Sequence, residues 1–502
     1  MTTCKVNIQG VCYDLEEGAN LLRALQCAGM HLDAPCNGRG VCGKCTVMVA
    51  GEKQLACQTA VFDGMDVCVP RAGEDAILDY GVSARVQPDG VDGLVLAIDI
   101  GTTTVVAYLL DGVTGSQLAT ASARNPQQSF GADVISRIQH ARGNGARELK
   151  ECIQEALAGL TQRVCEQAGV SSADVTLACI VGNTCMHHLA LDIDVSTLAT
   201  PPYMPKICDA LELDAHNVLP IAPDARLRVL PNIAGFVGAD TVGCLVATDF
   251  EHIDSPTLMI DIGTNGEMVL GTATERLACS TAAGPAFEGA LIECGMRAAR
   301  GAIDHVKLVF DGAGPALECS VIGGGKGQGI CGSGLVDAVA ALLDAGVVNR
   351  RGQLNAEHGG QFGEYLRQNA DGCKTVLLSN GVYLSQKDLR KVQMAKGAIR
   401  AGIELMAEHM GIRVADIQNV YLAGAFGNYL NPRSACRIGM LPPELEGRII
   451  GVGNAAGEGA KACALSRSQF EYAKRLAAET EFLELASLED FQERYIACTY
   501  FQ

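Results

Sequence analysis

Two stretches of this chain are written to one plan. Leu94-Val-Leu-Ala-Ile-Asp99-Ile-Gly101-Thr102-Thr103-Thr104 is an apolar run that closes on a tight acidic turn, and Val105-Val-Ala-Tyr-Leu-Leu110 reads as the strand returning from it. The plan recurs as Leu258-Met-Ile-Asp261-Ile-Gly263-Thr264-Asn265-Gly266-Glu267, followed by Met268-Val-Leu-Gly271. Self-similarity of this kind marks an internal duplication, so two like α/β lobes are expected. Each glycine lets backbone approach a ligand, while hydroxyls and N–H groups can grip phosphate oxygens. Asp99 and Asp261 are the residues suited to hold a hydrated magnesium ion. One such turn also makes an ordinary hairpin. Two facing each other across a cleft would clamp a nucleotide's phosphates from both sides.

The paired loops resemble the phosphate loops of the acetate kinase, sugar kinase, Hsp70 and actin superfamily. That resemblance implies a glycine-rich adenosine loop after a strand, and Val420-Tyr-Leu-Ala-Gly424-Ala425-Phe426-Gly427-Asn428 fits it. Gly453-Asn454-Ala-Ala-Gly-Glu-Gly459 resembles the superfamily's closing helix junction. Other glycine patterns carry less. Gly327-Gln-Gly-Ile-Cys-Gly332 matches G-x-G-x-x-G, but no acidic strand end follows at dinucleotide spacing, and Lys326 is followed by glycine, which excludes a Walker A loop. Residues 323–334 are expected to form a turn and helix start near the cleft. His187 and His188, adjacent on a helix, would point about 100° apart and suit a polar network better than one metal. The run from Ser280 to Gly289 is small-residue-rich with a lone carboxylate, Glu288, and either lines the cleft or packs as a plain loop.

Cysteine supplies the second constraint. The chain has 22, begins Met1-Thr-Thr-Cys4 without an apolar signal core, and shows no run of about 18 apolar residues. A reducing cytoplasm is therefore expected, with free thiols and no disulfide framework. Cys179, Cys244 and Cys463 sit singly in apolar company and read as core. One group is clustered: Cys36, Cys42, Cys45 and Cys57, spaced C-x5-C-x2-C-x11-C among glycines. Four thiolates in a glycine-rich loop can hold a [2Fe–2S] cluster. A four-cysteine zinc site is the alternative, although zinc ribbons usually pair two C-x2-C knuckles and only one is present. Thr3–Ile8 and Val11–Leu15 alternate as a hairpin, residues 16–30 carry an amphipathic helix, and Val67-Cys68-Val69 would close the sheet. Cys4, Cys12, Cys27 and Cys68 are expected to be packing residues. Hairpin, helix and cysteine loop together resemble a plant or adrenodoxin-type ferredoxin. The expected architecture is an α+β and α/β multidomain chain, with a β-grasp [2Fe–2S] ferredoxin domain over 1–75 and a linker over 76–93. An actin-like ATPase of two duplicated lobes follows, over 94–250 and 251–502.

With 39 Lys+Arg against 57 Asp+Glu the net charge is −18, which repels phosphate backbones and anionic lipid, so neither nucleic acid nor membrane is an expected partner. A ferredoxin domain joined to this ATP-binding body resembles the reductive activators of corrinoid enzymes. Matching stretches include Asn125-Pro-Gln127, Phe130 to Arg137, Val181-Gly-Asn-Thr184, Phe236-Val-Gly-Ala-Asp240 and Ala283 to Gly289, with Cys185 as one departure where threonine is expected. The resemblance implies one-electron reduction of Co(II) to Co(I) in the corrinoid protein of a methyltransferase system, driven by ATP with Mg2+ and fed by a low-potential donor; a homodimer is compatible with it. Asp99 and Asp261 would hold magnesium and Glu267 or Asp240 would position the attacking water. Three other readings are open: an ATP-dependent electron donor to a different redox enzyme, a small-molecule kinase with a redox-sensing domain, and a ferredoxin fused to a catalytically dead actin-like module, against which intact Asp99, Asp261 and Glu267 argue.

Overall fold

The computed structural model describes residues 3–8, 11–27, 45–50, 52–68, 86–131, 133–289, 291–311, 314–354, 365–369 and 372–502. The N-terminal sheet is built from β1 (Thr3–Ile8), β2 (Val11–Glu16), β3 (Thr46–Val49), β4 (Glu52–Leu55) and β5 (Asp66–Cys68), in the order β2-β1-β5-β3-β4. Strict alternation along β1 buries Cys4, Val6 and Ile8 on one face, and α1 (Leu21–Cys27) covers that face with Leu21, Leu22 and Leu25. The helix starts later than its periodicity suggests. Glu16 still pairs with Thr3, Gly18 turns the chain at φ +79°, and Asn20 bridges to Ala60. Cys12 and Cys68 are exposed on this sheet and are not packing residues, because each occupies an outward position of an alternating strand.

The body contains two sheets of one topology. In the first, β6 (Leu94–Ile100), β7 (Thr104–Asp111) and β8 (Gln117–Arg124) form an antiparallel meander. After α2 (Val134–His140) and α3 (Ala146–Ala168), β9 (Val175–Gly182) joins parallel to β6; α4 (Thr184–Ala190) and β10 (Leu211–Asp214) follow, and β11 (Arg226–Val229) joins parallel to β9. The second sheet repeats the plan. β12 (Thr257–Ile262), β13 (Gly266–Gly271) and β14 (Arg276–Thr281) form the meander. Between that meander and its parallel partners lie two three-stranded sheets, β15 (Ala302–Asp311), β16 (Gly314–Val321) and β17 (Gly329–Ile330), then β18 (Leu366–Gln368), β19 (Lys374–Ser379) and β20 (Val382–Ser385), together with α6 (Gly332–Asp344) and α7 (Gln386–His409). β21 (Asn419–Ala423) then pairs parallel with β12, α8 (Gly424–Tyr429) and α9 (Pro432–Arg437) follow, and β22 (Ile449–Gly453) pairs parallel with β21. β6 and β12 are apolar almost throughout because both are covered on two faces. The duplication legible in the motifs thus extends to a five-strand plan that the two sheets share, their sixth strands lying at different edges.

Between the two sheets run α5 (Ala239–Ala247) and α10 (Ala455–Leu465), which share one core with Val95, Ala97, Tyr108, Met259, Val269 and Val452. They cross backbone on backbone. A methyl at Gly459 would sit 2.0 Å from the Gly243 carbonyl oxygen, and one at Gly243 would sit 2.9 Å from that of Ala456. The far end of α10 is gripped by Arg228, whose Nη1 donates to the Cys463 carbonyl at 2.8 Å. There the chain entering from the N-terminal sheet is also moored. The Asp89 amide donates to the Leu465 carbonyl at 3.0 Å, and its carboxylate accepts from the Ser466 hydroxyl and the Arg467 amide. The chain continues through α11 (Arg467–Glu479), β23 (Thr480–Phe482) and α12 (Phe491–Thr499). Among the described residues no helix is long and apolar enough to cross a membrane. Gly459→Ala is expected to cost about 3 kcal/mol of stability by overpacking this crossing; an unfolding midpoint within experimental error of the parent would contradict a backbone-on-backbone contact here.

Candidate functional site

β6 and β12, one from each sheet, both end at a cavity of about 500 Å³, and each delivers an aspartate to its floor, Asp99 and Asp261. Gly101 to Thr104 of the first loop and Gly263, Thr264 and Asn265 of the second also line it. The first loop is held from behind through three consecutive carbonyls. Asn125 Nδ2 donates to Gly101 at 2.9 Å, Arg137 Nη2 to Thr102 at 2.6 Å, and the Asn125 amide to Thr103 at 3.0 Å. With its carbonyls engaged, the loop turns its hydroxyls toward the cavity. Arg137 is fully buried, and its other partners are the Gly131 carbonyl, the Gln127 amide oxygen and the Met186 sulfur. Burial draws its pKa down to about 10, so the guanidinium stays charged at neutral pH and sets a positive charge under the loop.

In the second loop the Gly263 amide donates to the Asn265 carbonyl at 2.9 Å, and Asn265 Nδ2 to Glu267 at 3.3 Å. Gly266 does not line the cavity; it packs where a methyl would meet Thr281 Oγ1 at 2.8 Å. Gly424, at φ +81°, presses so close to Asp261 that a methyl there would lie 2.8 Å from its Oδ1. α8 then carries Phe426 into the cavity, stacked on Phe287 with ring centroids 5.1 Å apart. Gly427 packs on Leu422 instead, and Ala425 lies between Gly424 and Phe426 in α8. The loop at 323–334 behaves as expected, with Cys331 to Ser333 at the start of α6 lining the cleft. His187 and His188 form a buried polar network, their Nδ1 atoms 3.0 Å apart and Asn232 against the first.

Four acids face one another across the floor. Asp99, Asp240 and Asp261 are each pushed up to about 7, chiefly by loss of water and then by neighbouring negative charge, that of Glu288 included at Asp261; an Asn454 hydrogen bond partly offsets this at Asp99, and the Thr241 amide does so at Asp240. Glu267 is raised further by the same causes. The arrangement calls for a cation. Among the described residues no three such side chains close to direct metal-ligand distance, so an ion would be held through its own waters, as magnesium usually is. Several participants were not picked out from the sequence. Asn454, which caps α10 and donates to the Tyr108 hydroxyl at 3.0 Å, carried a helix-start signal. Ser333 fell within the 323–334 stretch expected near the cleft, and Arg297 carried no signal.

At the N-terminal sheet, Cys45 and Cys57 come together because β3 and β4 pair Thr46 with Leu55, which leaves the two cysteines flanking the open end of the hairpin. Both are buried, and the Cys57 amide donates to Cys45 Sγ at 3.4 Å. Cys36 and Cys42 lie outside the described residues. Elsewhere burial holds thiols such as Cys179 protonated, up to about 12, as inert core residues.

The floor acids bind protons more tightly folded than unfolded, where carboxylates titrate near about 4. Without magnesium and nucleotide, the native state therefore loses stability as pH rises from about 4 through 7. Asp99→Asn is expected to raise the melting temperature in chelator at pH 8 and to change it far less at pH 5; an equal shift at both would contradict a strained acid cluster.

Comparison with known proteins agrees with this geometry. The RACo middle region matches residues 94–253, and the C-terminal ASKHA domain of RACo matches residues 255–502. The corrinoid activation enzyme RamQ of Eubacterium limosum is 37% identical over 424 residues, covering 81% of this chain and 70% of that protein. The Co(II) methylated amine-specific corrinoid protein reductase of Methanosarcina barkeri is 26% identical over 437 residues, covering 80% of this chain and 76% of its own. A solved reductive activator for a corrinoid, iron-sulfur protein superposes with a TM-score of 0.75 at 28% identity, over 99% of this chain and 98% of that one. The chain belongs to the RACo family of corrinoid activation proteins, with an ATPase body of the acetate kinase, sugar kinase, Hsp70 and actin fold.

Proposed function

We propose that this protein is an ATP-hydrolysing reductive activator, which gives one electron to the Co(II) of a corrinoid protein in methyl transfer and returns it to Co(I). The observation that carries the reading is the pairing, in one chain of this family, of a two-loop phosphate clamp with a hairpin that brings two buried cysteines together. One-electron transfer is the chemistry that a [2Fe–2S] cluster on Cys36, Cys42, Cys45 and Cys57 supplies when bound. The described pair suits it, since both thiols are buried and an amide is already aimed at one sulfur. The domain division is part of the same proposal, with the cluster domain over 1–75, a linker over 76–93, and lobes over 94–250 and 251–502.

ATP is needed because the transfer runs uphill. Plant-type clusters lie near about −400 mV, and each further 100 mV to a lower cobalt couple costs about 2.3 kcal/mol per electron. Nucleotide can help only by binding two states of the protein with different affinity. Here the side chains of Thr102 and Asn265 and the backbone amides of Thr103 and Thr264 grip phosphates from opposite lobes, the Thr103 and Thr264 hydroxyls being engaged by Glu288, and Asp99 and Asp261 hold magnesium through water. Asp240 and Glu267, which the resemblance puts beside the attacking water, share the floor with Asp99 and Asp261 and add the charge that draws the cation in. Phe426 and Gly424 flank the adenosine. A change in lobe closure reaches the electron-carrying end through α10, which starts in the cleft at Asn454 and ends where Asp89 moors the linker. The donor is a low-potential cytoplasmic reductant.

Cys45→Ser and Cys57→Ser are expected to lose iron and visible absorption while still binding ATP. Asp261→Ala should keep the absorption and lose ATP hydrolysis by at least about 100-fold. Zinc in place of iron in the anaerobically purified protein, or normal hydrolysis by Asp261→Ala, would contradict the respective assignment.

A further inference from the structure

Glu288 is used by none of the roles above, although its charge reaches Asp261 on the floor. It ends a short 3₁₀ turn, Pro285–Glu288, bounded by Gly284 at φ +74° and Gly289 at φ +78°. The far end has no room to change: a methyl at Gly289 would lie 2.4 Å from the Met296 carbonyl oxygen, and within the turn Phe287 is buried against Phe426. The turn therefore presents the Glu288 carboxylate to the cavity at a fixed place. Its two oxygens are divided between the lobes. Oε2 accepts from Thr103 Oγ1 at 3.1 Å, in the first phosphate loop, and Oε1 accepts from Thr264 Oγ1 at 2.9 Å, in the second.

Any phosphoryl group gripped by both loops thus lies one hydrogen-bond layer from this carboxylate. An ionised carboxylate offers about four acceptor positions, and two are taken, which leaves two for a water. Charge makes the placement informative. If the only task were to bridge the loops, an amide would do it without repelling phosphates, whereas an anion there raises the cost of binding them. Arg124 and Arg297 line the same cavity, and the Glu288 charge acts on the Arg297 guanidinium, so the anion has cations to offset it. The floor acids Asp240 and Glu267 share their field with Asp99 and Asp261 and serve the cation; Glu288 also acts on Asp261 by charge, but its two oxygens are bonded to the threonines, on the phosphate side.

We propose that Glu288 is a catalytic residue of ATP hydrolysis, the carboxylate that orients the attacking water and accepts its proton. The inference rests on the ATPase reading. The water oxygen bonds to the γ-phosphorus as the bond from that phosphorus to the β–γ bridging oxygen breaks. The electron pair of that bond leaves with ADP, and the proton of the water passes to Glu288 and then to inorganic phosphate or solvent. The threonine hydroxyls keep the carboxylate aligned with both loops, so it is correctly placed only when the lobes hold this spacing.

Glu288→Gln separates catalysis from bridging. The amide can still accept from one threonine and donate to the other's oxygen, but it carries no charge and takes no proton. The expected result is a fall in kcat for ATP of about 100-fold or more, with the Kd for MgADP within threefold of the parent and an unchanged visible spectrum. Glu288→Asp should recover at least tenfold of the loss. Hydrolysis by Glu288→Gln within threefold of the parent, or a loss of MgADP binding that matches the loss of rate, would overturn the role. A parent protein that binds MgATP and hydrolyses none of it would instead overturn the ATPase reading itself.

Discussion

The contact between Gly243 and Gly459 fixes how close the two halves of the body stand. α5 follows the first sheet in the chain and α10 belongs to the second, yet both lie in the layer between the sheets and touch through bare backbone. Asp240 sits one turn before the crossing on α5, and Asn454 caps the start of α10. Any side chain at the crossing would wedge the sheets apart and carry those two residues with them. The distance between Asp99 and Asp261, each at the end of its own sheet's first strand, depends on the same spacing. A cleft that must sense a phosphate with both lobes is therefore set by the thickness of two helices.

Electrostatics divides the cleft into a negative floor and positive walls. Four carboxylates held away from water share each other's repulsion, and the native state is strained until a cation or protons relieve it. Behind the first loop, the buried Arg137 orients carbonyls and leaves positive charge where phosphates would lie. In the proposed mechanism, magnesium and nucleotide phosphates arriving together would satisfy both halves at once and so link their binding to the spacing of the lobes. From the floor at Asn454, α10 runs to Leu465, where the Asp89 amide is moored.

Much of this was legible beforehand, for identifiable reasons. The duplication could be read because the two Asp-Ile-Gly-Thr turns follow apolar strands that must be covered on both faces, and such strands leave a continuous apolar signal. The cysteine spacing was equally plain, and β3 and β4 bring its described half, Cys45 and Cys57, together. Local positions were harder. Gly266 and Gly427 looked like ligand-facing glycines, but Thr281 and Leu422 make them packing glycines, and those neighbours are distant in sequence or hidden by the turn. Cys12 and Cys68 read as packing residues until strand phase turned them outward. Arg137 resembled any helix residue, since nothing local tells that its guanidinium passes under a loop 35 positions earlier. Glu288 was visible as a lone carboxylate among small residues; that its two oxygens would each meet a different lobe follows only from the assembled sheets.

Every part of this arrangement serves one claim, that nucleotide state controls the delivery of a low-potential electron to cobalt. The direct measurement is anaerobic absorption spectroscopy of the purified protein with a Co(II) corrinoid protein and a low-potential reductant, with and without MgATP. Growth of the Co(I) band only when MgATP is present is the expected result. Co(I) appearing at the same rate and yield without nucleotide, or never appearing although iron–sulfur absorption and ATP hydrolysis are intact, would contradict it.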